Sequence, residues 1–382
     1  DIDEMDKKSL TIMPLDLANF DSVNKFVDDV KTFKGNKPLD RLVCNAAVYQ
    51  PTLDVPQWSD DGIEQQLQIN HLSHFLMISK FIEDMKEAPG ARVITVGSVT
   101  GNDNTVGGGG VYPIADLREL EGFEAIAEGE RFNPSVCMAD GYSFNGAKGY
   151  KDSKMAIMMT SNLLHEKYHR STGIAFSSIY PGCIAESPLF REKRPWFRKY
   201  FPVFMKYITG GFVGEEEAGS RLLQVIVDPR ASRSGVYWSW NGGPRQGRGA
   251  EALEQDGNII GAGGAGGDWD SIFENEQSDK VRDMEKATEL FKYSTEITGA
   301  EWPQTKSTVS PCPTLVVIGA VTNMLDKLEQ SGKGSGIATQ KKRPKSMEEA
   351  MDIFNKPKAP KKAPIVRTVV TSQQGPGDLR VV

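Results

Sequence analysis

Residues 40–101 decide the fold: they open with DRLVCNAA at 40–47 and close with ARVITVGSVTG at 91–101. The first run reads as a buried strand ending in Asn45, Ala46 and Ala47, and residues 91–96 read as another strand, from whose end Gly97, Ser98, Val99 and Thr100 depart. Between them, residues 60–85 carry a helical pattern with Asn70 and His71 inside it. Upstream, LTIMPLDL at 10–17 reads as a short buried strand with Asp16 at its end, followed by helical periodicity over 22–33. Strands alternating with helices predict an α/β fold: a parallel sheet with crossover helices. Ligands of such sheets bind outside the carboxyl ends of the strands, where small residues let them approach the backbone. Asn45 to Ala47 and Gly97 to Ser98 therefore mark a candidate site.

The stretch GYSFNGAKGYKDSKMAIMMTSNLLHEKYH, residues 141–169, supplies the chemistry. Met155, Met158, Met159 and Leu163 recur at helical spacing, so Tyr150 and Lys154, four apart, share a helix face. A phenol titrates near ~10, and an ammonium held beside it lowers that value, which tunes the phenol as a proton donor. Taken alone, Tyr-x-x-x-Lys is a short pattern that also occurs on ordinary amphipathic helices. An asparagine within a helix commonly bridges or caps, and a serine after a strand commonly makes a turn.

The bulk properties narrow the class. The chain has 382 residues, 39% of them hydrophobic, enough for one large or two smaller cores. A net charge of -6 argues against a general nucleic-acid binder. Cys44, Cys137, Cys183 and Cys312 stand far apart and the chain has four histidines, so no disulfide framework and no metal site is expected, and a reducing compartment fits. No apolar run reaches the ~18 residues of a membrane span. The opening DIDEMDKKSL has neither an initiator methionine nor a signal-like apolar core, which suggests processing or a fragment.

Taken together, NAA at 45–47, the Asn70 helix, VGSVTG at 96–101, YKDSK at 150–154 and YPG at 180–182 resemble the short-chain dehydrogenase/reductase family. The resemblance implies a Rossmann-like, doubly wound parallel sheet. It implies that Tyr150 donates the proton, Lys154 tunes it and holds the nicotinamide ribose, Ser98 binds the reacting group and Asn70 anchors a relay water. It implies further cofactor contacts at Asp16, Asn45, Ala46, Ala47, Pro181, Gly182 and Ile184. Longer stretches, CNAAVYQPT, GAKGYKDSKMA, the run from SIYPGC to GGFV and SGVYWSWN, resemble the light-dependent protochlorophyllide reductases over residues 8–302. Ser98 stands 52 residues before Tyr150, and an insertion at that place is a feature of that group. The implied reaction is light-driven reduction of the C17–C18 double bond of protochlorophyllide with NADPH in the chloroplast. Tyr142, Cys183, Arg191, Lys193 and Arg194 are the implied substrate contacts. A ketone or alcohol reductase of the same family, or a non-catalytic pigment-binding protein, is the alternative.

Residues 189–213 interleave aromatics with cations, which suits a lid over a pigment and its carboxylate, a contact with the plastid membrane surface, or a solvated basic helix. Self-association into a homo-oligomer is the further partnership considered. A helix over 214–227 and a strand over 234–240 are expected to complete the sheet, and residues 275–298 to form a charged helix. Residues 242–267 read as a flexible surface insertion and 303–382 as a linker-like tail. Within that tail, PIVRTVVTSQQGPG at 364–377 faintly resembles the missing strand and glycine turn, which would mean a permuted order or the start of a further unit. The family's opening strand and T-G-x-x-x-G-x-G turn, which hold the cofactor diphosphate, do not precede Leu10. The sheet is therefore expected to be N-terminally incomplete, NADPH binding by this chain alone to be weak or absent, and its activity as a fragment to be doubtful.

Overall fold

The computed structural model describes residues 10–190, 195–209, 212–240, 253–255, 258–260 and 269–304. Helix α1 is Phe20–Lys34, and Asn19 starts it by accepting from the Ser22 amide. Strand β1 is Arg41–Cys44. Helix α2 begins at Gln65–Leu67, passes through the π-helical turn Gln68–Leu72 and continues as Ser73–Met85. Strand β2 is Arg92–Val96, and α3 is Glu121–Ala127. The tyrosine helix α4, Gly146–Leu164, is capped by Asn145 and extends through His165–His169 and Arg170–Thr172. Strand β3 is Ala175–Ile179, α5 is Pro195–Phe204 with a π-helical extension Met205–Thr209, α6 is Glu215–Val227 and β4 is Val236–Trp240. A short antiparallel pair, β5 (Leu253–Gln255) and β6 (Asn258–Ile260), precedes β7 (Ile272–Asn275), α7 (Asp279–Arg282) and α8 (Met284–Thr298).

The main sheet has the order β1-β2-β3-β4-β7. The first three pairings are parallel and β7 runs antiparallel to β4. Alternation along each strand divides the core. Leu42, Val93 and Phe176 join α1 and α2 on one face, while Ile94, Ile179, Val236 and Trp238 meet Val225 and Ile226 of α6 on the other. A sheet covered on both faces accounts for strands apolar on both sides. Met155, Met158 and Met159 of α4 pack with Phe123 of α3 and Leu290 of α8 in a third cluster. Trp302 lies against Phe75, Phe291 and Tyr168, anchoring the end of this unit.

Three expectations change. Residues 10–16 form no strand: Pro14 lacks a ladder donor, Ile12 is 88% exposed, and Asp16 turns the chain into α1. The expected insertion contains the β5–β6 pair, the rest of 242–267 lying outside the described residues. The helix expected over 275–298 is two helices separated at Asp283, whose carboxylate caps the second. The tail beyond Gln304 is outside the described residues.

Candidate active site

Strand ends and helix α4 converge at Tyr150. Its phenol is hydrogen-bonded by Ser98, and burial pushes its pKa well above the usual phenol value, with Tyr49 and Cys183 adding to the rise. Ser98 is buried at the start of a 3-10 turn, where its Oγ accepts from the Thr100 amide at 3.2 Å. Burial, not the neighbouring ammonium, dominates the phenol pKa. Lys154 Nζ donates to the Val96 carbonyl at 2.7 Å and stands 5.8 Å from the Tyr150 ring centroid. Burial brings the Lys154 pKa down to about 8. The phenol therefore stays protonated at neutral pH, the state a proton donor needs.

Asn70 lies in the π-helical turn of α2, where protein groups take both Nδ2 protons and one lone pair of Oδ1. Its Oδ1 accepts from Val48 N at 2.8 Å, and its Nδ2 donates to Val48 O and to Ser153 Oγ, each at 3.0 Å. The side chain thus braces the segment leaving β1, and the implied relay water would meet the second Oδ1 lone pair or the backbone of this residue.

Asn45 and Ala46 are exposed at the carboxyl end of β1, with Ala47 beside them. Pro181, Gly182, Cys183 and Ile184 follow β3. Gly182 has φ +115, and a Cβ there would come within 2.2 Å of Val213 Cγ2, so the turn requires glycine. Arg221, paired with Glu217 at 2.8 Å, holds this turn by donating to Pro181 O at 2.8 Å. The Cys183 thiol is pushed up to about 12 by burial, so it is neutral at physiological pH.

Two implied contacts stand apart from this cluster. Asp16 is exposed and its Oδ1 accepts from Ala18 N at 2.8 Å, a turn-capping role. Tyr142 is 52% exposed and lies under the Arg118 guanidinium, 4.5 Å from ring centroid to Cζ. Arg191, Lys193 and Arg194 lie outside the described residues.

The sequence reading missed Tyr49, whose ring centroid is 4.6 Å from that of Tyr150. Tyr49 begins an aromatic row: Phe190 lies 6.1 Å from it, Phe201 5.2 Å from Phe190, and Phe197 stacks on Phe201 at 4.5 Å. Its position just after the small residues of NAAVY was the available signal. Burial raises the pKa of the missed Tyr180 well above the usual phenol value, and Cys183 and Tyr150 lie near enough to add to the rise.

This crevice fits the nicotinamide end of a cofactor. Small residues after β1, β2 and β3 open the backbone to a flat ring, and Lys154 provides a cation at their centre. A glycine-rich diphosphate turn is not found among the described residues. Nor is there, among them, a group of three metal-ligating side chains.

Parallel sheet, strand-end serine and Tyr-x-x-x-Lys helix define a class, the short-chain dehydrogenases, and the family model described as short chain dehydrogenase matches residues 2–114. Protochlorophyllide reductase B, chloroplastic, of Hordeum vulgare is 44% identical over 77% of this chain and 67% of its own length. Protochlorophyllide reductase A, chloroplastic, of Arabidopsis thaliana is 45% identical over 77% of this chain and 65% of its own. Protochlorophyllide reductase of Avena sativa is 44% identical over 76% of this chain and 84% of its own. The chain belongs to the protochlorophyllide reductase family of short-chain dehydrogenases and is an oxidoreductase of the nicotinamide-dependent kind. It spans about two thirds of the length of the first two relatives.

Proposed function

We propose that this protein, in the plastid, reduces the C17–C18 double bond of protochlorophyllide with NADPH, using absorbed light. The reductase domain is taken as residues 1–302. The observation that carries the reading is the uncharged Tyr150 phenol, bonded to Ser98 and faced by the Tyr49 ring that begins the row to Phe190 and Phe201. A planar conjugated substrate suits a site walled by aromatic rings, which offer dispersion and offset stacking. When bound, the cofactor supplies a hydride to one carbon of the double bond. Tyr150 then delivers its proton to the adjacent carbon, so the two additions saturate the bond. Lys154 and the small residues of Asn45–Ala47 and Pro181–Gly182 would hold the nicotinamide end. Ser98, through its hydroxyl, keeps the phenol oriented.

Helix α5 divides the two roles considered for the aromatic, basic stretch. Phe197 and Phe201 belong to the aromatic row, while Trp196, Tyr200, Phe204 and Tyr207 are exposed together with Arg198 and Lys199. The inner face suits a lid and the outer face suits an anionic lipid surface. Among the described residues no helix is long and apolar enough to cross a membrane.

The proposed chemistry is tested by illuminating the protein with protochlorophyllide and NADPH in heavy water. Solvent deuterium should enter the product at one of the two carbons in the wild type, and product should form far more slowly in Tyr150→Phe. Undiminished proton delivery in Tyr150→Phe would remove Tyr150 from the reaction.

A further inference from the structure

Helix α2 and the segment leaving β1 are joined by three rungs in regular register. Gln66 Oε1 accepts from Gln50 N at 2.9 Å, Asn70 exchanges two bonds with the Val48 backbone, and His74 Nε2 donates to Ala46 O at 3.0 Å. Steps of four along the helix answer steps of two along the segment, in opposite directions. Four helical residues rise about 6 Å and two extended residues span about 6.6 Å, so the spacings match. A pure α-helix would rotate every fourth residue by about 40° and carry the end rungs off a common face. The π-helical turn Gln68–Leu72 has more residues per turn and lies across the middle rung, which removes most of that rotation.

The ladder is also tied to the tyrosine helix. Gln66 Nε2 donates to Gly146 O at 3.0 Å, and Asn70 reaches Ser153 Oγ. A Cβ at Gly146 would fall 1.9 Å from Gln50 O, and one at Gly149 would fall 2.9 Å from Gln66 Nε2, so both glycines permit the close approach. Tyr49 lies between the first two rungs, with its ring against Tyr150. All three rung side chains are buried, and burial lowers the His74 pKa to about 4, leaving a neutral imidazole whose Nε2–H meets the carbonyl.

We propose that Gln66, Asn70 and His74 act as one register-setting ladder, in which Gln66 and His74 are positioning residues that hold the Tyr49 ring on the Tyr150 phenol. Side chains of an extended segment alternate in direction, so a slip of one residue would turn Tyr49 away from the site. The ladder stands on geometry alone; its effect on turnover rests on the proposed reductase activity.

Amide hydrogen exchange on the full chain tests it. Gln66→Leu and His74→Phe should each speed exchange at both the Val48 and Gln50 amides by about tenfold or more, the distant rung included, which corresponds to losing about one hydrogen bond. His74→Gln, which offers an N–H at similar reach, should restore slow exchange. If Gln66→Leu does not fold, the His74 pair carries the comparison. Acceleration confined to the amide beside the substitution, or none in His74→Phe, would overturn the ladder. In the illuminated assay kcat should fall about tenfold in His74→Phe and recover in His74→Gln, a rate change of about 1.4 kcal/mol. Full turnover in His74→Phe despite faster exchange would overturn the positioning role. A wild type that cannot reduce the pigment would instead overturn the reductase reading and leave the exchange result standing.

Discussion

In the proposed reaction Tyr150 acts as the acid, and its phenol keeps its proton because burial outweighs its polar neighbours. The phenol is raised by desolvation and by Tyr49 and Cys183, and the Ser98 bond only partly offsets this. Tyr150→Phe keeps the ring and its contact with Tyr49 but removes the proton, so turnover should fall by roughly 10²–10⁴ with pigment binding little changed. A second buried group gives a stability test. Glu64 starts α2 by accepting from Leu67 N at 2.9 Å, and burial raises its carboxyl to about 7. A raised carboxyl binds its proton more tightly in the folded state, so its contribution is present below pH 4.5 and is lost as pH rises to about 7. Glu64→Gln keeps an acceptor and removes the titration, so the variant should lack that loss of roughly 3 kcal/mol. Urea unfolding at pH 5 and pH 8 measures it; equal pH dependence in both proteins would contradict the assignment. At this scale, Tyr150 and Lys154 were legible because four-residue spacing is local. Tyr49, Gln66 and His74 were not, because their partners arrive from elsewhere in the chain.

Among the elements, the insertion between Ser98 and Tyr150 is fastened to α4 beside the tyrosine. Lys148 Nζ meets Asp140 at 2.8 Å, Asp152 at 2.6 Å and the Asp116 carbonyl at 2.7 Å, and all three lie within a few residues of Tyr150 or in the insertion. Asp140 and Asp152 are buried, and burial lifts Asp152 to about 7 despite the ammonium. Removing the cation should leave two buried carboxylates uncompensated. Lys148→Met is expected to cost roughly 3–5 kcal/mol at pH 8, the scale of a broken buried ion pair. The deficit should shrink as pH falls and the Asp152 carboxylate takes up its proton. Thermal unfolding at pH 8 and pH 5 checks this, and limited proteolysis should cut the variant within residues 103–140. A deficit that does not vary with pH would assign Lys148 a packing role only. The sequence showed the insertion by its length, but its attachment joins acidic residues at 116, 140 and 152 and is absent from any one stretch.

For the whole molecule, the sheet was legible because parallel strands buried on both faces leave short apolar runs between helical patterns. Val236–Trp240 was found where expected, yet its antiparallel neighbour Ile272–Asn275 was not, since four residues are too few to show a period. Residues 10–17 misled in the opposite sense. Their apolar composition reads as a strand, but Leu10, Ile12 and Leu15 are exposed. The crevice follows from the topology once β1, β2 and β3 are parallel, since all three then end on one side of the sheet. The aromatic row beginning at Tyr49 lines this crevice, and the proposed planar pigment would stack on it. The decisive measurement is absorbance of the purified protein with protochlorophyllide and NADPH at a concentration shown to saturate it, in the dark and after illumination. The account predicts a red shift to the reduced pigment only in the light; no shift under illumination, or the same conversion in darkness, would contradict it.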